Sequence, residues 1–192
     1  YVVDIRDKAK VDECIENVVH VWGTVDVLVN NAGICRLEPF VSMDDDLRDA
    51  HFDINIKGTW NVSKACVPYM IAQNKGAIVN LSSVTGPMVA DPGEVAYATT
   101  KAAIIGFTKA LAMELVSDNI RVNAIMPGPI PTKHNSEFLK DEGTKASMCE
   151  RIPMKSYGNP ENIADAVVYF LEERAYWTTG TTLPVDGGFL AK

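Results

Sequence analysis

AIVNLSSVTGPMVADPGEVAYATTKAAIIGFTKALAMELVSDNIRVNAI, residues 77–125, decides the fold. Its first five residues are a nearly continuous apolar run followed by the turn formers Ser82, Ser83 and Gly86, the pattern of a buried strand over 77–81. Residues 95–116 are rich in Ala, with apolar positions at helical spacing, and 122–125 is again a short apolar run. Strand, helix and strand therefore follow one another. Working outward, residues 1–5 read as a β-branched strand. Val11, Ile15, Val18, Val19 and Trp22 then form a helical stripe that Gly23 stops. A strand is expected over 25–29, closed by Asn30, Asn31 and Gly33, and a long helix from about 46 to 70. A last helix is expected over 163–171 and a short strand over 183–185. Near-continuous apolar strands alternating with amphipathic helices mark an α/β architecture, a doubly wound parallel sheet covered on both faces.

The 192 residues suit one domain, 1–192, with 47% apolar and 22% charged residues, which excludes disorder, collagen and coiled coil. Net charge is −7 and no basic run tracks phosphates, so nucleic acid is not an expected partner. Cys14, Cys35, Cys66 and Cys149 form no CxxC pair, and no signal peptide or membrane-length apolar span is seen, so a cytoplasmic location is expected. Residues 127–151 are polar and broken by prolines, and read as a substrate lid carrying short helices. His20, His51 and His134 share no ligand spacing and read as surface or partly packed residues; no metal site is expected.

In open parallel sheets ligands bind beyond the carboxyl ends of the strands, so the loops there carry the chemistry. Asn30-Asn31-Ala32-Gly33 could let a backbone approach a ligand closely, or be a plain turn. After the third strand come Ser82-Ser83, and Tyr97 then opens a helix with Lys101 at i+4 on the same face. A phenol normally ionises near pH ~10, and a neighbouring ammonium lowers that value, so such a tyrosine could exchange protons with an alcohol or ketone. Pro127-Gly128-Pro129-Ile130-Pro131-Thr132 is a rigid turn whose backbone groups and Thr132 hydroxyl could hold an amide-bearing ring. Ala98, Ala102, Gly106 and Ala110 recur every four residues as a small-residue stripe, suited either to packing on the chain's own sheet or to a subunit contact.

Taken together, Asn30-Asn31-Ala32-Gly33, Asn55, Ser83, Tyr97-x-x-x-Lys101, the Pro127-Gly128 turn and Asp186-Gly187-Gly188 resemble the short-chain dehydrogenase/reductase family over essentially the whole chain. The resemblance implies a Rossmann-like fold and an NAD- or NADP-dependent oxidoreductase that interconverts a secondary alcohol and a ketone. Tyr97 would be the general acid/base, Lys101 would lower its pKa and hold the cofactor ribose, and Ser83 would bind the substrate oxygen. Asn55 would hold a water in the proton relay, its alternative being a helix-interior Asn bonded locally. Asp4 and Ile5 would contact the adenine, Asn31, Ala32 and Gly33 the ribose, and Pro127, Gly128, Ile130 and Thr132 the nicotinamide side. A homo-oligomer, dimer or tetramer, is implied, and no membrane.

Two departures from the family pattern stand out. Ser83 and Tyr97 are fourteen positions apart, one more than the resemblance implies, which makes Ser82 the fallback donor. The glycine-rich phosphate turn of the family is not found in the sequence, so the chain is expected to lack the first two βα units. A catalytically incompetent fragment that keeps only the substrate half and the oligomer interface is therefore the alternative function. A sugar-nucleotide epimerase or dehydratase, which shares the Tyr and Lys spacing, is the third.

Overall fold

A computed structural model of the chain describes residues 1–132 and 141–191. Four parallel strands, β1 (Val27–Asn30), β2 (Gly76–Leu81), β3 (Ile120–Pro127) and β4 (Thr182–Val185), lie side by side in chain order. Val29 pairs with Val79, Ile78 with Val122, and Ile125 with Leu183. On one face α1 (Lys8–Trp22), α3 (Thr59–Ala72) and α4 (Val95–Leu115) bury Ile78, Ile120 and Val122 under Cys66, Met70, Ala112 and Leu115. On the other face α6 (Pro160–Leu171) sets Phe170 against Val79 and Ile125. Because the two central strands are covered twice, they are apolar without alternation.

Local chemistry sets the helix ends. Asp7 caps α1 by accepting from the Lys10 amide, and Gly23 closes it at φ 85°, donating to the Val19 carbonyl. The long helix expected over 46–70 exists as three contiguous pieces: α2 (Asp45–His51), a π-helical turn (Phe52–Gly58) and α3. The segment 127–151, expected to form a lid, carries α5 (Glu142–Arg151), and its residues 133–140, His134 among them, lie outside the described residues.

Residues 1–5 depart from expectation, since they join no sheet. A strand needs a ladder, and among the described residues β1 pairs only with β2. Instead Asp4 starts a turn, its carbonyl accepting from the Asp7 amide at 3.0 Å. The Ile5 side chain lies against Gly58, and the Asn61 amide donates to the Ile5 carbonyl at 2.9 Å. His51 also differs from expectation. It is fully buried, with Nδ1 donating to the Leu47 carbonyl at 2.8 Å and Nε2 accepting from the Arg36 amide at 3.1 Å.

Candidate active site

The loops beyond the carboxyl ends of β1, β2 and β3 meet over the first turns of α4. Asn31 donates back to the Val29 carbonyl at 3.1 Å, turning the chain sharply out of β1. Gly33 then passes over two polar side chains: a Cβ there would sit 3.2 Å from Asn55 Oδ1 and 3.6 Å from Lys101 Nζ. The bare backbone of Gly33 is what leaves this polar cradle open.

Asn55 occupies the π-helical turn and is 2% exposed. Its amide grips the β1 loop from both sides, accepting from Ile34 N at 2.8 Å and donating to Ile34 O at 3.0 Å, and it also donates to the Thr100 hydroxyl at 3.0 Å. These bonds are not local, because they tie the loop after β1 to α4. The wide π turn brings this amide inward, a use of such turns that recurs at functional sites.

Ser82 and Ser83 divide the work that the spacing left ambiguous. The Ser82 hydroxyl is buried and donates to the Lys101 carbonyl at 2.7 Å, fastening β2 to α4. The Ser83 hydroxyl accepts from the Thr85 amide at 3.1 Å and lies close enough to Tyr97 to favour its phenolate. Between these serines and Tyr97, Gly86 stands at φ 100° and donates to Val89 O at 2.7 Å.

Lys101 is 7% exposed, donates to the Leu81 carbonyl at 2.7 Å, and lies 5.7 Å from the centre of the Tyr97 ring. Burial pulls its ammonium down to about 8. Burial likewise pushes the Tyr97 phenol up to about 12, against the lowering effect of Ser83, with Cys35 and Glu94 adding to the rise. The expectation that Lys101 brings Tyr97 toward neutrality is therefore not met in this geometry. The ammonium is engaged by the Leu81 carbonyl, and desolvation of the phenolate sets the direction of the shift.

The remaining positions lie around this centre. Gly128 donates to Val185 O at 2.9 Å and backs onto Asp186, where a Cβ would come within 2.6 Å of the Asp186 Cα. Pro127 O accepts from Val84 N at 3.1 Å, which sets the proline turn beside the Ser83 loop. Ile130 borders a cleft of ≈ 500 Å³ together with Tyr157, Gly158 and Asp186, and Thr132 is exposed. The Asp4 carboxylate is held near 2 by the Arg6 side chain and amide.

Several residues were not legible from the sequence. Asn30 donates to Ser63 and to Asn80, and Asn80 to Thr108, a buried polar chain across β1, β2 and two helices. Cys35 is an exposed residue at the edge of the same centre, its thiol pushed up to about 11 by partial desolvation first and then by Glu94, with Lys101 opposing. Of these only Asn30 carried a signal, as the first residue of the β1 turn motif.

A family model described as Enoyl-(Acyl carrier protein) reductase matches residues 1–190. The chain is 47% identical to oxidoreductase UcpA of Escherichia coli (strain K12), covering 97% of this chain and 73% of that protein. It is 40% identical to the 3-oxoacyl-[acyl-carrier-protein] reductase FabG of Thermotoga maritima, covering 99% of this chain and 76% of the relative. The chain belongs to the short-chain dehydrogenase/reductase family. Among solved members, a gluconate 5-dehydrogenase from Burkholderia cenocepacia J2315 in complex with NADP and tartrate superposes with a TM-score of 0.96 at 31% identity. That match covers 100% of this chain and 74% of the other. ElxO with NADP bound superposes at 0.94 with 34% identity, covering 100% of this chain and 78% of that one. The parallel sheet with helices on both faces is thus the Rossmann-like sheet of this family, and the chain is of the oxidoreductase class.

Proposed function

We propose that this chain serves as an NAD(P)-dependent oxidoreductase interconverting a secondary alcohol and a ketone. The observation that carries the reading is the buried Lys101 ammonium, which lies beneath the bare backbone of Gly33 and 5.7 Å from the Tyr97 ring, with Ser83 beside that phenol. That cradle suits the ribose and nicotinamide end of a dinucleotide, since a backbone without Cβ faces a buried ammonium and an amide. Asn31, Ala32, Gly33 and Lys101 would hold the ribose, while Pro127, Gly128, Ile130 and Thr132 would border the nicotinamide and Asp4 with Ile5 the adenine. The bound cofactor supplies hydride chemistry.

The side chains move the proton. Tyr97 keeps its proton at neutral pH, so it is poised to donate to a ketone oxygen that the Ser83 hydroxyl also binds. Lys101, with its pKa near 8, offers a charge that offsets the phenolate left behind. Asn55 acts as a positioning residue, because its amide is committed to Ile34 and Thr100. The relatives named for oxidoreduction and the NADP-bound neighbours support the reading. The exposed stripe of Ala102, Gly106 and Ala110, beside Trp60 and Phe107 at 5.4 Å, does not pack on the sheet. It is the face proposed for a homo-oligomer. A reducing, cytoplasmic setting is proposed from the four free cysteines.

Titration of the chain with NAD(H) and NADP(H), followed by turnover on a panel of secondary alcohols and ketones, tests the reading. Saturable binding with turnover is expected. Absence of both supports the non-catalytic alternative.

A further inference from the structure

We propose that Arg151 is a positioning residue for the substrate loop over 83–94, acting through an ion pair with Asp91; this rests on the reading of Ser83 and Tyr97 as the reacting pair. Arg151 ends α5, and its guanidinium meets both Asp91 carboxylate oxygens at 3.2, 3.3 and 3.2 Å. It also lies 5.5 Å from the centre of the Phe189 ring. These two contacts reach opposite ends of the loop. Phe189 is buried in one cluster with Val84, the neighbour of Ser83, and with Met126 and Ile152. Asp91 sits one turn before α4: its amide donates to Glu94 Oε2 at 2.7 Å, and Glu94 O accepts from Ala98 N at 2.7 Å, next to Tyr97.

The rest of α5 has no buried residue, so the helix is held through its carboxyl end, by Ile152, the half-buried Met148 and Arg151. The Arg151 and Asp91 side chains are 44% and 53% exposed. Such a pair contributes little to global stability and is screened by salt, which suits a contact that orders a loop rather than holds a fold. The forked contact needs a guanidinium, whereas lysine keeps only the charge for Asp91 and for the Phe189 ring.

The test compares Asp91→Asn, Arg151→Met and Arg151→Lys in the full chain, by amide hydrogen exchange over 84–94 and by steady-state kinetics. Asp91→Asn and Arg151→Met are expected to speed exchange in the loop and raise KM by about 3- to 5-fold with kcat held within about two-fold, and Arg151→Lys to fall between. KM of the parent rises with ionic strength, and KM of Asp91→Asn does not. Unchanged exchange overturns the proposal whether or not the parent turns over. Faster exchange with unchanged KM, or a salt response kept in Asp91→Asn, overturns it as well. A parent without turnover counts against the enzyme reading alone, and exchange then decides the role of Arg151.

Discussion

Tyr97, Ser83 and Lys101 have environments different enough to be separated by single substitutions. Tyr97→Phe keeps the ring and removes the proton, so turnover should fall to a few per cent or less in a full-length enzyme while dinucleotide affinity hardly changes; stopped-flow reduction and a binding titration check both. Ser83→Ala should lower kcat by about 10²-fold, the range for one positioned donor, and Ser82→Ala much less, because the Ser82 hydroxyl serves the Lys101 carbonyl. Equal losses would place the substrate donor elsewhere in the loop. Lys101 and Tyr97 also shape stability against pH, with opposite signs. The folded Lys101 gives up its proton near 8 and the unfolded one near 10.5, so the unfolded chain binds more protons in between and stability rises with pH across that window. The folded Tyr97 keeps its proton up to about 12 and the unfolded one loses it near 10.0, so stability falls with pH over that range. Urea midpoints measured from pH 7 to 12 should lose the first slope in Lys101→Met and the second in Tyr97→Phe.

At the scale of elements, the loop between β2 and α4 holds two glycines at positive φ, Gly86 and Gly93, and Gly86 is the confined one. Gly86 stands at φ 100°, where a side chain is strained, and a Cβ would collide with the carbonyl oxygen of Ala98 in the first turn of α4. Gly86→Ala must therefore shift the loop that carries Ser83, and both Tm and kcat should drop. Gly106→Ala is the control within α4, since a Cβ there meets nothing within 4 Å. It should raise the stability of the single chain by about 0.5–1 kcal/mol in thermal unfolding, as expected for a helix-interior glycine. The π-helical turn works in the opposite way, by widening the backbone. Asn55 reaches Ile34 from it, while Gly58 leaves room for Ile5, so one irregular turn positions both the β1 loop and residues 4–6.

For the whole molecule the exposed edge of β1 is decisive. Val27 and Val29 are 47% and 38% exposed, and β1 has a ladder on one side only among the described residues. Such an edge pairs with other chains. Residues 1–192 expressed alone should self-associate in a concentration-dependent way, and Val29→Lys should shift the distribution toward monomer in sedimentation velocity. An unchanged distribution would move the contact to another face, such as the small-residue stripe of α4.

Much of this was legible in one dimension. The strands over 77–81 and 122–125, the helix begun by Val95 and the stop at Gly23 follow from apolar period and turn chemistry, which act between near neighbours. Tyr97 and Lys101 were legible because four residues along a helix bring side chains to one face. Tertiary structure alone decided the rest. Residues 1–5 have strand-like composition but join no ladder, and a ladder is a property of two segments. Ser82 and Ser83 are chemically alike, and only tertiary packing turned one to the Lys101 carbonyl and left the other on the Thr85 amide beside Tyr97. The proton affinities of Tyr97 and Lys101 were set by burial, which opposed the charge argument drawn from their spacing, because desolvation depends on everything packed around a group.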